Sequence, residues 1–106
     1  NVAVTDNIDE DLTPQSFRLR QNYPNPFNLG TTIEYSLTQP AKVNLAIYDL
    51  TGRLINTLVD YDQPADRFTF HWNGIGQRGT PVSAGVYFCR LQTAGHNRTI
   101  KMLLLK

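Results

Sequence analysis

The stretch Ser83-Ala-Gly-Val-Tyr-Phe-Cys89 shows most clearly how this chain is built. A glycine precedes an apolar run, and Tyr87 stands near its start, two residues before the chain's single cysteine, Cys89. A tyrosine in this place can hydrogen-bond to the upstream backbone as the tyrosine corner of a β-sandwich. It can equally be an ordinary core aromatic, and the residues alone leave both interpretations open.

Strands are predicted on either side of that stretch because apolar and polar residues alternate. Successive strand side chains point to opposite faces, so each such segment offers one apolar face to a core. The apolar positions of these segments are Phe17 and Leu19; Ile33, Tyr35 and Leu37; Val43, Leu45 and Ile47; and Phe68, Phe70 and Trp72. Val86 to Leu91 and Ile100 to Leu105 are apolar on both faces, which predicts central strands or edge strands covered by another segment.

Turn-forming residues separate these segments at short intervals. Asp49-Leu-Thr-Gly52 predicts a tight turn in which Asp49 binds the backbone and Gly52 takes a positive φ. About seven short strands with such spacing predict an all-β, immunoglobulin-like antiparallel sandwich. With one cysteine, the sandwich has no intramolecular disulfide.

Length and charge limit the organisation and the partners. The 106 residues suit one domain, which we place at residues 15–106 after an acidic linker at 1–14. The formal charge of +1 gives no indication of a nucleic-acid partner, and no apolar run is long enough for a membrane span. Because the sequence starts at Asn1 without an apolar leader, we expect a piece of a longer protein. Beyond Asp66 there are no acidic residues, so the basic C-terminal third faces either an acidic partner or solvent.

Residue types capable of catalysis occur in no arrangement that indicates an active site. Cys89 lies within an apolar strand, where burial raises a thiol's pKa and makes it unreactive. His71 and His96 lack metal-ligand spacing. The acids around Pro64 (Asp60, Asp62 and Asp66) are placed in a solvated loop rather than a calcium site. We therefore predict no catalytic residues, no metal, no cofactor and no enzymatic activity.

Aromatic residues offer an alternative function. Tyr23, Phe27, Tyr48, Tyr61 and Trp72 could stack on sugar rings, as in a carbohydrate-binding accessory module. Phe68, Phe70 and Trp72 share a strand face that is expected to be core, whereas Tyr23 and Tyr61 are expected to be exposed.

Three stretches occur together in a fixed order: Asn22-Tyr-Pro-Asn-Pro-Phe-Asn28, Tyr48-Asp-Leu-Thr-Gly-Arg53, and Gly85-Val-Tyr-Phe-Cys-Arg-Leu91. The last leads into Lys101-Met-Leu-Leu-Leu-Lys106. Over residues 17–106 the chain resembles the C-terminal sorting domain of the type IX secretion system of Bacteroidetes and related bacteria. It is also similar to the immunoglobulin-like domain of flagellar hook-capping proteins, which suggests a structural scaffold as the alternative function.

The resemblance to sorting domains implies a non-catalytic module that takes a cargo domain, on the N-terminal side of the same polypeptide, across the outer membrane to the cell surface. The implied partners are the type IX machinery and a sortase-like protease that cuts within residues 1–15. The implied sorting signal is Gly85, Val86, Tyr87, Lys101, Met102, Leu103, Leu104, Leu105 and Lys106. Physically, a terminal strand can be recognised by backbone pairing to a receptor sheet edge, or it can simply be the last core strand.

Overall fold

The computed structural model describes residues 16–106, which form seven strands and no helix. The strands are β1 (Arg18–Leu19), β2 (Thr31–Ser36), β3 (Ala41–Asp49), β4 (Leu54–Gln63), β5 (Arg67–Trp72), β6 (Gly85–Gln92) and β7 (Asn97–Leu104). The predicted acidic linker at 1–14 and the expected cleavage segment lie outside the described residues.

The strands form two antiparallel sheets. One has the order β1-β2-β5, and the other has the order β4-β3-β6-β7. This confirms the predicted all-β, immunoglobulin-like sandwich, and the single cysteine, Cys89, is a free buried thiol. As expected for a strand that is apolar on both faces, β6 lies inside its sheet, between β3 and β7.

The register of the three-stranded sheet explains the alternation in its sequence. Ile33 on β2 lies opposite Phe70 on β5, and Tyr35 lies opposite Phe68. These side chains turn towards the other sheet, where Ile33 and Tyr35 are fully buried and the two phenylalanines pack against the core. The expectation that the β5 aromatics belong to the core is confirmed.

Trp72 lies at the centre of the core. Its ring meets those of Phe27 and Tyr87, each with a centroid separation of 5.8 Å, and its indole N–H donates to the Ile75 carbonyl at 3.0 Å. The remaining buried members of this core are Ile33, Tyr35, Leu37, Val43, Leu45, Ile47, Val59, Cys89, Leu91, Met102 and Leu104. One apolar core between two sheets is the arrangement that a sandwich requires.

Strand β4 corrects the loop predicted around Pro64. Asp60 and Asp62 lie on this strand, and only Asp66 belongs to the turn that follows it. The prediction was wrong because closely spaced aspartates beside a proline are typical of a turn, whereas this strand continues to Gln63. The pairing is regular there, with Asp60 opposite Asn44 and Asp62 opposite Lys42.

The turn after β3 has the predicted structure. The Asp49 carboxylate accepts backbone N–H bonds from Thr51 at 2.9 Å and Arg53 at 3.0 Å, and Gly52 has a φ of +90°. The Thr51 hydroxyl also donates to this carboxylate, at 2.7 Å. This bond has the largest effect in lowering the pKa of Asp49, and the two backbone bonds lower it further. Over residues 16–106, no helix long and apolar enough to cross a membrane is found.

Candidate functional site

The two parts of the predicted sorting signal lie side by side. Gly85-Val86-Tyr87 opens β6, and Lys101 to Leu104 closes β7. In the antiparallel register, Gly85 is opposite Leu104, Val86 opposite Leu103, and Tyr87 opposite Met102. Residues well separated in sequence therefore form one paired surface at one end of the larger sheet.

The inward-facing members of this pair of strands are structural. Tyr87, Met102 and Leu104 are buried in the core, at 6%, 0% and 3% exposure. The Tyr87 hydroxyl donates to the Ser83 carbonyl at 2.6 Å, and burial raises the pKa of this phenol. This bond is the tyrosine corner that the sequence left open.

The outward-facing members remain accessible. Val86 and Leu103 are half-buried, whereas Lys101 is exposed. Leu105 and Lys106 follow the strand and are also exposed. Val86, Lys101 and Leu103 line a cavity of about 300 Å³ together with Asn25 and Pro26. A partner can thus reach six of the nine predicted signal residues, namely these five members and the half-buried Gly85, without unfolding the core.

The free edge of β7 is covered by residues 21–28, which we call the edge clasp. The Phe27 N–H donates to the Leu103 carbonyl at 3.0 Å, and the Leu105 N–H donates to the Phe27 carbonyl at 2.8 Å. The Asn25 side chain accepts from the Leu103 N–H at 3.0 Å, and the Gln21 amide donates to the Lys101 carbonyl at 2.8 Å. β7 is therefore a covered edge strand, one of the two arrangements that its apolar sequence predicted.

The edge clasp also bears on recognition of β7 by backbone pairing, one of the two possibilities that the sequence left open. Backbone pairing of the last strand with a receptor sheet needs free N–H and C=O groups along its edge. At Leu103 both outward groups already have partners in the clasp, as does the Leu105 N–H. A receptor strand could therefore pair with these backbone groups only by displacing the clasp, whereas the exposed side chains of Lys101 and Leu105 are accessible without this.

Buried groups anchor the edge clasp to the sandwich. Phe27 is 2% exposed and packs on Trp72. The Asn22 side chain, also 2% exposed, donates to the Thr31 hydroxyl at 2.9 Å and to the Pro24 carbonyl at 3.2 Å. These roles explain several residues of Asn22-Tyr-Pro-Asn-Pro-Phe-Asn28, whose structural function the sequence analysis missed. The available signal was the pair of asparagines, Asn22 and Asn25, among two prolines, because asparagine side chains often hydrogen-bond the nearby backbone in such segments.

The other candidate residues are separated from one another. Burial raises the pKa of the Cys89 thiol to about 12, as expected for an unreactive cysteine. His71 and His96 are exposed, and His96 stacks on Phe17 with 4.7 Å between ring centroids. Among residues 16–106, no group of three or more His, Cys, Asp or Glu side chains is arranged to hold a metal ion.

The aromatic residues proposed as a sugar platform do not form one. Phe27 and Trp72 are each 2% exposed and belong to the core, because they fill the space between the sheets. Tyr23 and Tyr61 are exposed as expected, at 80% and 57%. Tyr48 is half-buried beneath the Arg90 guanidinium, 4.7 Å from it.

Residues 28–96, well over half of the chain, match the family model described as the FlgD Ig-like domain. The chain belongs to this family. No curated protein matches it. The part matched to the FlgD Ig-like domain runs from the end of the edge clasp to the turn before β7. The match therefore covers the body of the sandwich, and most of the clasp and the last strand lie outside it.

Proposed function

We propose that the chain is a non-catalytic structural domain that acts as an immunoglobulin-like scaffold and docks other proteins through its surface. The observation that carries this proposal is the match of residues 28–96 to the FlgD Ig-like domain. The states of its reactive groups also support it. Burial raises the pKa of Cys89 and of Tyr35 to about 12, so both stay protonated near neutral pH. The Asp49 carboxylate already accepts hydrogen bonds from the backbone of its own turn, at Thr51 and Arg53.

The scaffold proposal is tested by deleting residues 16–106 from the full-length protein. We expect any chemical activity of the remaining part to persist, while its assembly or delivery to its site is lost. If chemical activity disappears and assembly and delivery are unaffected, the non-catalytic proposal is wrong.

A second, more specific candidate is sorting by the type IX secretion system to the cell surface. It is favoured by the pairing of Gly85-Val86-Tyr87 with Leu104, Leu103 and Met102, which joins the two sequence stretches implied as the signal. Because Tyr87, Met102 and Leu104 are core residues, their part in sorting would be to hold the strand pair in place. The exposed members Lys101, Leu105 and Lys106 would be the ones that the secretion machinery contacts.

The sorting candidate is tested with a fluorescent cargo fused ahead of residues 1–106. We expect surface delivery in a host with a working type IX system and none in a secretion-defective host. Lys101→Ala with Lys106→Ala should block delivery, because these lysines are among the residues that the machinery would contact. Both are exposed, so the double substitution should scarcely affect stability, and unfolding would not explain the loss. Lys42→Ala with Arg78→Ala removes the same charge elsewhere on the surface and serves as the control.

Delivery of the Lys101/Lys106 variant at the level of the control would show that the secretion machinery does not recognise these lysines. If a folded fusion carrying the unaltered domain stays inside the competent host, the sorting candidate is wrong and only the scaffold proposal is left. Appearance of the cargo without the sandwich domain, with its new C-terminus within residues 1–15, would identify protease cleavage there, as the sorting candidate expects.

A further inference from the structure

The outer face of the four-stranded sheet is divided into a polar half and an apolar half. Tyr48 on β3 lies opposite Leu54 on β4 and Phe88 on β6, and Val86 on β6 lies opposite Leu103 on β7. We call these five residues the apolar outer face. The other half of the same face carries Lys42, Asn44, Asp60, Asp62 and Gln92.

The apolar outer face takes no part in the core described for residues 16–106. None of its five members is in the core cluster or among the hydrophobic residues packed against it. Leu54 is 39% exposed, and the other four are half-buried. The solvent-facing side of an antiparallel sheet is normally polar, and a contiguous apolar patch is a mark of a protein–protein contact.

Arg90 provides a fixed positive charge beside this patch. Its guanidinium lies 4.7 Å from the centre of the Tyr48 ring and donates to the Tyr48 hydroxyl at 2.6 Å. The Arg90 Nε is buried without a hydrogen-bond partner in the described part of the chain. The three ion pairs found among residues 16–106 include neither Arg90 nor Lys101, which is opposite Phe88.

These features are those of a prepared binding surface. Tyr, Phe and Arg are enriched in protein–protein interfaces, and a side chain already fixed in place loses less entropy on binding. Asp60 and Asp62 lie on the polar half of the outer face, where Asp60 forms an ion pair with Lys42, so they do not neutralise Arg90 or Lys101 by an ion pair. A matching partner supplies carboxylates.

We propose that the apolar outer face, with Arg90 and Lys101 beside it, docks a different protein whose contact surface is apolar at its centre and carries carboxylates at its border. A second copy of this chain fits poorly. The apolar outer face of a second copy has no carboxylate among its five residues to meet Arg90 and Lys101, because Asp60 and Asp62 lie on the polar half. The inference rests on the proposed scaffold function, for which it names the docking surface, and it does not need the sorting candidate.

The test introduces a photocrosslinking residue, p-benzoylphenylalanine, into the full-length protein in the cells that make it. It replaces Phe88 on the apolar half or, as the matched control, Asn44 on the polar half of the same face. We expect one protein to be crosslinked at position 88 and not at position 44. Mass spectrometry of the adduct should place Asp or Glu residues in the crosslinked segment of that protein.

Charge reversal shows whether the cations hold the partner. We expect Lys101→Glu and Arg90→Glu each to lower the adduct yield at position 88 by at least about fivefold, because a carboxylate partner is then repelled. Thermal unfolding of each variant is measured first. Lys101 is exposed, so Lys101→Glu gives the answer even if Arg90→Glu does not fold.

The proposal is overturned by equal crosslinking at positions 88 and 44, or by an adduct with a second copy of the chain. It is also overturned if the crosslinked segment of the partner contains no Asp or Glu, or if Lys101→Glu leaves the adduct yield at position 88 unchanged. Export of the same proteins is recorded in parallel. In the protein without charge reversal, normal export without an adduct at position 88 refutes this docking surface alone, whereas failed export with that adduct present refutes the sorting candidate alone.

Discussion

Tyr87 shows how one side chain serves both the core and the backbone. Its ring packs edge-on against Trp72, while its hydroxyl donates to the Ser83 carbonyl at 2.6 Å. Tyr87→Phe keeps the ring and removes this bond, so we expect a loss of about 0.5–1.5 kcal/mol in the free energy of unfolding. Urea denaturation measures it. The control is Tyr23→Phe, whose ring is 80% exposed and which should change nothing. Equal values for the two variants would show that the corner adds no stability.

Cys89 makes the free energy of unfolding depend on pH in the alkaline range. Burial raises the pKa of its thiol from the ordinary 9.0 to about 12. Between these two values only the unfolded state loses the thiol proton, so the free energy of unfolding falls as pH rises through this range. The contribution of Cys89 to that slope reaches about 1.4 kcal/mol per pH unit at most.

Cys89→Ala isolates this contribution, because all other titrating groups are shared with the unaltered protein. We expect urea denaturation between pH 8 and pH 11 to show a shallower decline for the variant. Parallel curves for the two proteins would contradict the raised pKa. The level of each curve is not compared, since removing a buried sulfur also changes packing.

At the scale of the elements, the end of β7 alternates between core and surface. Leu104 is 3% exposed, whereas Leu105 is 47% exposed. We expect Leu104→Ala to cost about 2–5 kcal/mol in the free energy of unfolding, and Leu105→Ala less than about 1 kcal/mol. Chemical denaturation of the two variants gives the comparison. A small loss for Leu104→Ala would mean that the strand end is not part of the core.

A second prediction for β7 concerns its hydrogen bonds to the edge clasp. Asn25→Ala removes the acceptor of the Leu103 N–H bond at 3.0 Å. We expect faster hydrogen exchange at the Leu103 amide and a stability loss of up to about 1 kcal/mol. Asn28→Ala, three residues later and exposed, is the control. Unchanged exchange at Leu103 in the Asn25 variant would show that the clasp does not protect this edge.

The elements differ in how much of them could be predicted from sequence. β2, β3 and β5 alternate regularly and were predicted, since each has one face in the core. β4 was missed because irregular pairing with β3 breaks the pattern of its first half, and the closely spaced aspartates of its second half, beside a proline, are typical of a turn. The edge clasp could not be inferred from any local pattern, because its Asn25–Leu103 bond joins residues 78 positions apart. Likewise, the apolar outer face depends on which strands are neighbours, which alternation does not show.

At the scale of the whole molecule, charge and core are distributed differently along the chain. Within the part of the chain that the structure describes, the core cluster and the side chains packed on it extend from Phe17 to Leu104. All ten basic residues lie at position 18 or later, whereas four of the nine acidic ones precede position 12. The sandwich itself thus carries a net charge of +5, which suits contact with an acidic partner more than with its own copy.

The boundary before Gln15 remains a prediction, and this distribution makes it testable. A chain beginning at Gln15 keeps every core residue found among residues 16–106 but loses Asp6, Asp9, Glu10 and Asp11, which raises the net charge from +1 to +5. If residues 1–14 are only a linker, its free energy of unfolding in about 1 M salt should agree with that of the whole chain within about 0.5 kcal/mol. At low salt, self-repulsion should make the shorter chain slightly less stable. A loss above about 1 kcal/mol that persists in high salt, measured by urea denaturation, would mean that the acidic stretch packs on the sandwich and belongs to the domain.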